Sequence, residues 1–535
     1  MTAHEDNEDW LLNLAAAPIQ PELTPLARYE EGHRSNDFAS TIGWLVRKGH
    51  SESHILTMVL ALNKELPHPL PEQEVIGIVR SISRYPRGAT TELDEINLSR
   101  ELARLLSGRV SYTTTHGWLY TLVDRWQCQN GEAIVQEAVK RFLENIVQGV
   151  RANTDPSRGD EHKSVKKIQT RTKVKALMEL MRSDPVILRD GSDFDARRDL
   201  LNVRNGTIEI NEDGFTFREH RAEDLLTKMA DVDFDLNARC PTFDKVLSDA
   251  LPDEEEAAFF LRFLGYSVSG LFDQQILGIF YGAGANGKST LVNEIQACLG
   301  DYAVNVETST FTVQKFSGVR NDLSRLNGAR LAVSSELGMG EILDSSLMKK
   351  LTGGDKITAR YLYKENFEFT PTAVPLFVTN ALPVIDGGDP AMTRRIVVLG
   401  FKNIIPPEKR DPSLPGKLRA ERSGIFNRLL EGMVDYIRMK GIRPPASITL
   451  ATSQYGENSD MIGQFLGECT TADPKATVGA GDLLSEYRSW AMQNGLKGLS
   501  GPQFKAALEK RPGLINKRTK AGILWVGLAL KGSVI

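Results

Sequence analysis

The chain has 535 residues, a formal net charge of −4, 41% hydrophobic content and 25% charged content. That length corresponds to roughly three or four domains, and the composition is that of ordinary globular chains, not of disordered or fibrous ones. The slight negative charge excludes nucleic-acid binding by bulk charge, so any basic surface has to be local.

Cys128, Cys240, Cys298 and Cys469 lie far apart, without C-x-x-C or Cys/His metal spacing. They read as reduced thiols, which fits a cytoplasmic protein. The first ten residues carry Glu5, Asp6, Glu8 and Asp9, the opposite of a secretory leader. No apolar run is long enough to span a bilayer, so no membrane partner is expected.

Residues 1–31 read as a loose acidic lead-in. Over 32–90 the pattern is helical. Phe38, Ile42, Leu45 and Val46 form one apolar stripe, Ile55, Val59, Leu60 and Leu62 a second, and Val75, Ile78, Val79 and Ile82 a third. Three short helices make a small bundle, which by itself reads as a docking or linker module. Tyr85-Pro86-Arg87-Gly88 breaks the pattern. A mixed α/β region follows over 91–250, with helices near 99–106 and 133–150 and a strand at Gly117–Tyr120. Between His162 and Met178 there are six cations and no acid: Lys163, Lys166, Lys167, Arg171, Lys173 and Lys175. Such a run is either a solvated helix face or a phosphate contact.

The most informative stretch is Tyr281-Gly282-Ala283-Gly284-Ala285-Asn286-Gly287-Lys288-Ser289-Thr290. It fits G-x-x-x-x-G-K-[ST], the phosphate-cradling loop. Ile276–Phe280 before it reads as a buried strand. Leu291, Val292, Ile295 and Leu299 after it fall at helical spacing, and Gly300 marks the stop. A strand turning sharply into a helix aims backbone N–H groups and the helix N-terminus at one point, where a polyphosphate sits. Lys288 would reach the β/γ-phosphates of ATP and Ser289 would ligate Mg²⁺.

Residues 251–445 therefore read as an α/β ATPase core. Leu331–Ser335 is an apolar strand leading to Glu336, and is expected beside the phosphate-loop strand. Glu336 at its end would polarise water and help to hold Mg²⁺. Leu376–Thr379 is a further buried strand ending in Asn380, which can bond the attacking water or the γ-phosphate. Arg394 and Arg395 precede the apolar Ile396–Leu399. They are expected to reach a neighbouring subunit's nucleotide, which implies a ring. Leu351-Thr352-Gly353-Gly354-Asp355 resembles a transporter-ATPase signature but follows the acidic strand instead of preceding it. No guanine-reading Asn-Lys-x-Asp follows the loop.

Residues 455–535 read as a separate small domain. Helices are expected at Asp460–Glu468, Val478–Asn494 and Ser500–Lys510, then a hairpin over Ile515–Leu530 turning at Gly522, with Trp525 and Leu528 inward. Between Gly501 and Lys520 six cations (Lys505, Lys510, Arg511, Lys517, Arg518, Lys520) stand against one acid, Glu509. A helix followed by a basic hairpin suits duplex DNA, while a basic but idle surface is the plainer alternative.

Taken together these motifs resemble the superfamily 3 ring helicases, in the phage, plasmid and poxvirus primase-helicase branch. The matching pieces are the phosphate loop, Ser335-Glu336, Lys349–Asp355 with Arg360, Val378-Thr379-Asn380 and Arg394-Arg395. Asn205-Gly206 and Leu264–Gly270 look like the domain that precedes this ATPase. Residues 32–85 resemble the helical domain C-terminal to primase catalytic domains, and 460–535 a winged-helix tail. The resemblance implies an AAA+ core between an N-terminal helical domain, a mixed α/β middle domain and a C-terminal winged helix. It implies ATP bound by Gly282 to Thr290, with Mg²⁺ at Ser289 and Glu336. Catalysis would fall to Lys288, Glu336, Asn380 and the trans-acting Arg395, with Lys349 and Arg394 also facing the neighbour. The Asp355–Phe367 segment looks like the hairpin that grips single-stranded DNA. Lys356, Arg360, Tyr361, Tyr363 and Lys364 suit that role, and Lys505, Lys517 and Arg518 suit duplex contact.

The implied activity is ATP-driven unwinding of forked DNA by a homo-oligomer, a hexamer, in a bacterial host's cytoplasm, with a separate primase or polymerase as a further partner. An origin-binding initiator or loader is the alternative. Two departures stand out. Ser335 occupies the place of the first of two acids, which puts metal contact there in doubt. The 31 residues ahead of position 32 cannot hold a primase catalytic domain, so the chain is not expected to make primers by itself.

Overall fold

The computed structural model describes residues 42, 45, 52–65, 69–83, 94–122, 124–152, 168–313, 320–335, 341–360, 366–385, 389–494, 498–509, 511–519 and 522–531. Glu336, Tyr361, Tyr363, Lys364, Lys510, Lys520 and Lys163 to Lys167 of the basic run lie outside them. The chain forms two compact units. The first holds residues 1–113, 117–120 and 128–189, and the second 114–116, 121–127 and 190–535.

In the first unit, helices α1 (Glu52–Glu65) and α2 (Glu72–Ser83) bury Ile55, Val59 and Leu62 against Val75 and Val79, with Ile42 and Leu45 in the same cluster. The turn between α1 and α2 is closed by Asn63, whose amide exchanges two hydrogen bonds with the Leu70 backbone at 2.8 and 2.9 Å. Helix α3 (Glu95–Leu105) starts at Asp94, whose carboxylate accepts from Asn97 N. Strands β1 (Val110–Thr113) and β2 (Gly117–Thr121) pair as a hairpin, and the long helix α4 (Gly131–Ala152) follows. Helix α5 (Arg171–Met181) carries the described end of the basic run. Val174, Leu177, Met178 and Met181 face inward, Arg171 and Lys175 are exposed, and Lys173 lies 3.6 Å from Glu95.

The second unit begins with an antiparallel meander, β3 (Leu200–Val203), β4 (Gly206–Asn211) and β5 (Gly214–Arg218). Helices α6 (Pro241–Ala250) and α7 (Glu254–Ser269) lead to the central sheet. That sheet has five strands: β6 (Leu277–Tyr281), β7 (Ala303–Asn305), β8 (Leu331–Ser335), β9 (Val374–Thr379) and β10 (Ile396–Gly400). Every pairing is parallel, in the order β10-β6-β9-β8-β7. Strands buried on both faces read as continuous apolar runs, as Leu376-Phe377-Val378 does. The expectation that Leu331–Ser335 lies beside the phosphate-loop strand is overturned: β9 is inserted between them. The residue that neighbours the loop across the sheet is therefore the one after β9, Asn380.

Helix α8 (Lys288–Leu299) packs on one face of the sheet with α7 and with α11 (Arg422–Met439). The α7–α11 contact is close because both helices place glycine there. A Cβ on Gly265 would lie 2.2 Å from Met433 N, and one on Gly432 2.2 Å from Leu261 O. Helix α9 (Ser345–Gly353) and the short α10 (Pro390–Thr393) belong to the opposite layer. Between α9 and β9, Ile357–Arg360 and Asn366–Phe369 pair antiparallel as the expected hairpin, with Arg360 opposite Asn366.

Helix α12 (Ala446–Ser459) covers the outer edge of β10 and runs across the expected start of the tail at 455. The tail continues with α13 (Met461–Cys469), β11 (Thr470–Gly479), α14 (Ala480–Gln493), α15 (Gly501–Glu509), β12 (Ile515–Thr519) and β13 (Gly522–Leu530). The sequence reading missed β11 and began a helix at Val478. The segment is a strand because it pairs with β13 from Thr470↔Leu530 to Gly479↔Leu524, bulging between Asp473 and Thr477 where the Asp-Pro pair sits. Trp525 and Leu528 are buried, as the hairpin reading expects, beside Phe465, Tyr487, Trp490 and Phe504.

Candidate nucleotide site

The phosphate loop leaves the C-terminal end of β6 and enters α8 through three residues with positive φ: Gly284 (21°), Ala285 (57°) and Gly287 (78°). Neighbouring backbone pins its shape. Phe401 N donates to Tyr281 O at 2.7 Å, and Ile405 N donates to Ala285 O at 2.8 Å. Asn286 is buried and donates from Nδ2 to Phe401 O at 3.0 Å. A Cβ on Gly282 would lie 2.3 Å from both Asn286 Nδ2 and Phe401 O, so only glycine fits. The motif leaves position 286 open to any residue. Its side chain here is a strut, a role without a sequence signal of its own.

Ala283, Gly284, Ala285 and Ser289 are exposed, Thr290 is half-buried, and Lys288 is buried, 3% exposed. Lys288 Nζ donates to Gly282 O (3.0 Å), Thr379 O (2.5 Å) and Asn380 Oδ1 (3.3 Å). The loop lysine and the polar residue closing β9 thus meet at the ends of two adjacent parallel strands. Burial pulls the Lys288 pKa down, because desolvation disfavours its charge. Its three acceptors are neutral oxygens, and no carboxylate among the described residues forms an ion pair with it. A buried ammonium without a counter-charge, beside an open loop at a helix N-terminus, suits an anionic polyphosphate. The exposed Ser289 hydroxyl stands in the first turn of α8, where a phosphate-bound Mg²⁺ would take it.

On β8, Ser335 is the last described residue, and its carbonyl accepts from Thr308 Oγ1 at 3.0 Å. The two arginines part company. Arg395 is 7% exposed; its Nε donates to Thr352 Oγ1 (3.1 Å), Nη2 to Gln275 Oε1 (2.7 Å) and Nη1 to Ala391 O. It stands at the start of β10, where Leu277 N bonds its carbonyl, at the opposite end of the sheet from the loop. Arg394 is exposed. Lys349 pairs with Asp389, the residue that caps α10. Gln275 was not singled out by sequence, and Thr352 was named only within the Leu351-to-Asp355 run; the contact of either with Arg395 comes only from folding.

Lys356 and Arg360 are exposed on the hairpin, while Ile357 and Ala359 face inward. In the tail Lys505, Lys517 and Arg518 are exposed, with Lys505 3.7 Å from Glu509. Arg511 pairs with Asp460 and is not open for a ligand.

Three segments of the chain match known families. Residues 24–86 match the family described as Primase C terminal 1, residues 100–252 the one described as D5 N terminal like, and residues 280–395 a family of unknown function, DUF5906. The last spans the phosphate loop to Arg395. Among curated proteins, the chain is 27% identical over 336 residues to a protein of Acanthamoeba polyphaga mimivirus named as a candidate helicase, L207/L206. That match covers 58% of this chain and 34% of the relative. It is 28% identical over 305 residues to helicase candidate 022R of Frog virus 3 (isolate Goorha), covering 53% of this chain and 31% of that protein. Primase candidate C962R of African swine fever virus (isolate Tick/Malawi/Lil 20-1/1983) is 22% identical over 210 residues, 38% of this chain and 22% of its own. The chain thus spans about a third or less of the length of these relatives. Among solved structures, the apo C-terminal region of NrS-1 overlaps 82% of this chain and all of its own at 10% identity and a TM-score of 0.42. The matched segments and the relatives' names make parts of this chain similar to viral primase-helicase proteins. No helix among the described residues is long and apolar enough to cross a membrane.

Proposed function

We propose that this chain is an ATP-driven DNA helicase subunit that works in a ring, with AAA+ architecture and a winged-helix tail. The observation that carries the reading is the meeting of Lys288 with Gly282, Thr379 and Asn380 beneath an exposed loop at the start of α8. Lys288 exchanges its carbonyl partners for phosphate oxygens. Asn380, one strand away, orients the attacking water or the γ-phosphate. Mg²⁺ would supply charge neutralisation across the β- and γ-oxygens, held through Ser289. Glu336 follows directly on β8 and is assigned the role of general base. The strand order supports the AAA+ reading, because it sets β9 and Asn380 between the loop and the end of β8.

For the neighbour's site we assign Arg394 as the trans-acting arginine. Its exposure permits contact with another subunit, whereas Arg395 is held inside its own chain. Lys356 and Arg360 on the hairpin are assigned to single-stranded DNA, and Lys505, Lys517 and Arg518 to duplex DNA. A separate primase or polymerase remains a proposed partner.

The test is Mg-ATP turnover by the purified chain with forked DNA. DNA-stimulated hydrolysis and strand separation, both abolished in K288A, are expected. Removing transition-state charge stabilisation costs about 100–1000-fold in rate, so E336Q is expected to bind ATP and lose turnover. Turnover unchanged in K288A would overturn the assignment. Hydrolysis without strand separation would favour the loader.

A further inference from the structure

The helix that joins the ATPase sheet to the tail touches the turn that carries Arg394. Helix α12 lies along the edge strand β10, where Val398 N donates to Thr452 Oγ1 at 3.0 Å. One turn later Tyr455, buried, donates its hydroxyl to Pro383 O at 2.8 Å, in the loop that follows Asn380. The next residue is Gly456. A Cβ there would lie 2.8 Å from Thr393 Cγ2, closer than real Cβ atoms approach. Thr393 ends α10, and Arg394 comes next. The same short helix is also held by Lys349 on Asp389 and by Arg395 on Ala391 O. At its far end α12 meets Asp460, which starts α13 and pairs with Arg511 of the tail.

We propose that Gly456 is a positioning residue for Arg394: its missing side chain lets α12 seat the α10 turn, so that the tail-bearing helix sets where Arg394 stands. The inference rests on the ring reading given above. Glycine is otherwise a poor choice in the interior of a 14-residue helix. Its presence against Thr393 is accounted for by the close approach. Alanine at 456 favours the helix and pushes Thr393, carrying the Arg394 backbone with it.

The experiment is subunit mixing. G456A alone is expected to bind ATP as wild type does and to lose at least tenfold in DNA-stimulated turnover. Mixed with K288A it should recover activity, because the K288A subunit supplies a well-placed Arg394 to the site built by the G456A subunit. Mixed with R394A it should not recover, since neither subunit then supplies that arginine. The double variant G456A/T393S should regain turnover, because serine lacks the Cγ2 that collides and keeps the hydroxyl that donates to Asp389 O at 3.2 Å in the native chain. Wild-type turnover in G456A, or equal recovery with both partners, would overturn the proposal. Failure of the K288A and R394A mixture itself to recover would instead overturn the ring reading beneath it. A global folding defect is separated by the melting temperature, which G456A should hold or raise.

Discussion

Lys288 carries its charge in a buried place, against neutral oxygens only. Its pKa is lowered from 10.5 by desolvation, so the folded chain releases this proton at a lower pH than the unfolded chain does. Between the folded and the unfolded pKa the unfolded state binds more protons, and stability from this group rises with pH. Below the folded pKa the penalty is constant. The urea midpoint of the wild type relative to Lys288→Met should therefore increase as pH is raised toward the unfolded value of 10.5. A difference that stays flat or falls would contradict the burial argument. The arginine pair gives a second contrast. Arg395→Ala leaves the buried Thr352 Oγ1, and Ala391 O, without this donor. Its expected cost is about 2–4 kcal/mol of folding stability. Arg394→Ala should leave the denaturation midpoint within error of wild type and remove hydrolysis instead. Denaturant titration of both variants separates the two roles.

The elements around the loop are held by backbone contacts that tolerate little change. Gly282→Ala drives a methyl group into Asn286 and the Phe401 carbonyl. Loss of at least about 1.4 kcal/mol in nucleotide binding, a tenfold weaker Kd, is the expected result. Fluorescent-nucleotide titration checks it, with the tail's duplex binding serving as a control for folding. On the hairpin, the exposed Lys356 and Arg360 share no buried packing, so charge reversal should spare ATP binding. Single-stranded DNA affinity and unwinding should fall in Lys356→Glu/Arg360→Glu, because each lost cation also removes counterion release. Equal DNA affinity in that variant would assign the hairpin to another task.

At the scale of the whole chain, a net charge of −4 makes DNA binding a matter of local patches. In the tail Lys517 and Arg518 are exposed on an edge strand, while Arg511 is neutralised by Asp460. Duplex affinity should fall steeply with salt, and Lys517→Glu/Arg518→Glu should lower both the affinity and the salt slope. Loading at an origin should suffer more than unwinding of a preformed fork. A salt-independent affinity, or a double reversal that changes nothing, would leave these cations as plain surface.

The phosphate loop, its strand and its helix were legible in the chain itself, because glycine spacing, an apolar run and a 3.6-residue period are local patterns. The hairpin after Asp355 was implied by the family resemblance alone, and Trp525 and Leu528, three residues apart and both buried, do not share a face by simple alternation. Strand order was not legible. Nothing in Leu331–Ser335 or Leu376–Thr379 says which pairs with β6, since each opens as an apolar run and is buried from its first residue, through Ser334 in the one and Thr379 in the other. The strand Thr470–Gly479 was hidden for a similar reason: its Asp-Pro bulge imitates a turn, and only β13, some fifty residues on, makes it a strand. The two arginines read alike in sequence, and tertiary contact alone divides them. Gln275 and Thr352 bury one guanidinium, and the exposed face of α10 leaves the other to solvent. Local sequence determines what chemistry a residue can offer; long-range packing decides whether that residue is available to a ligand.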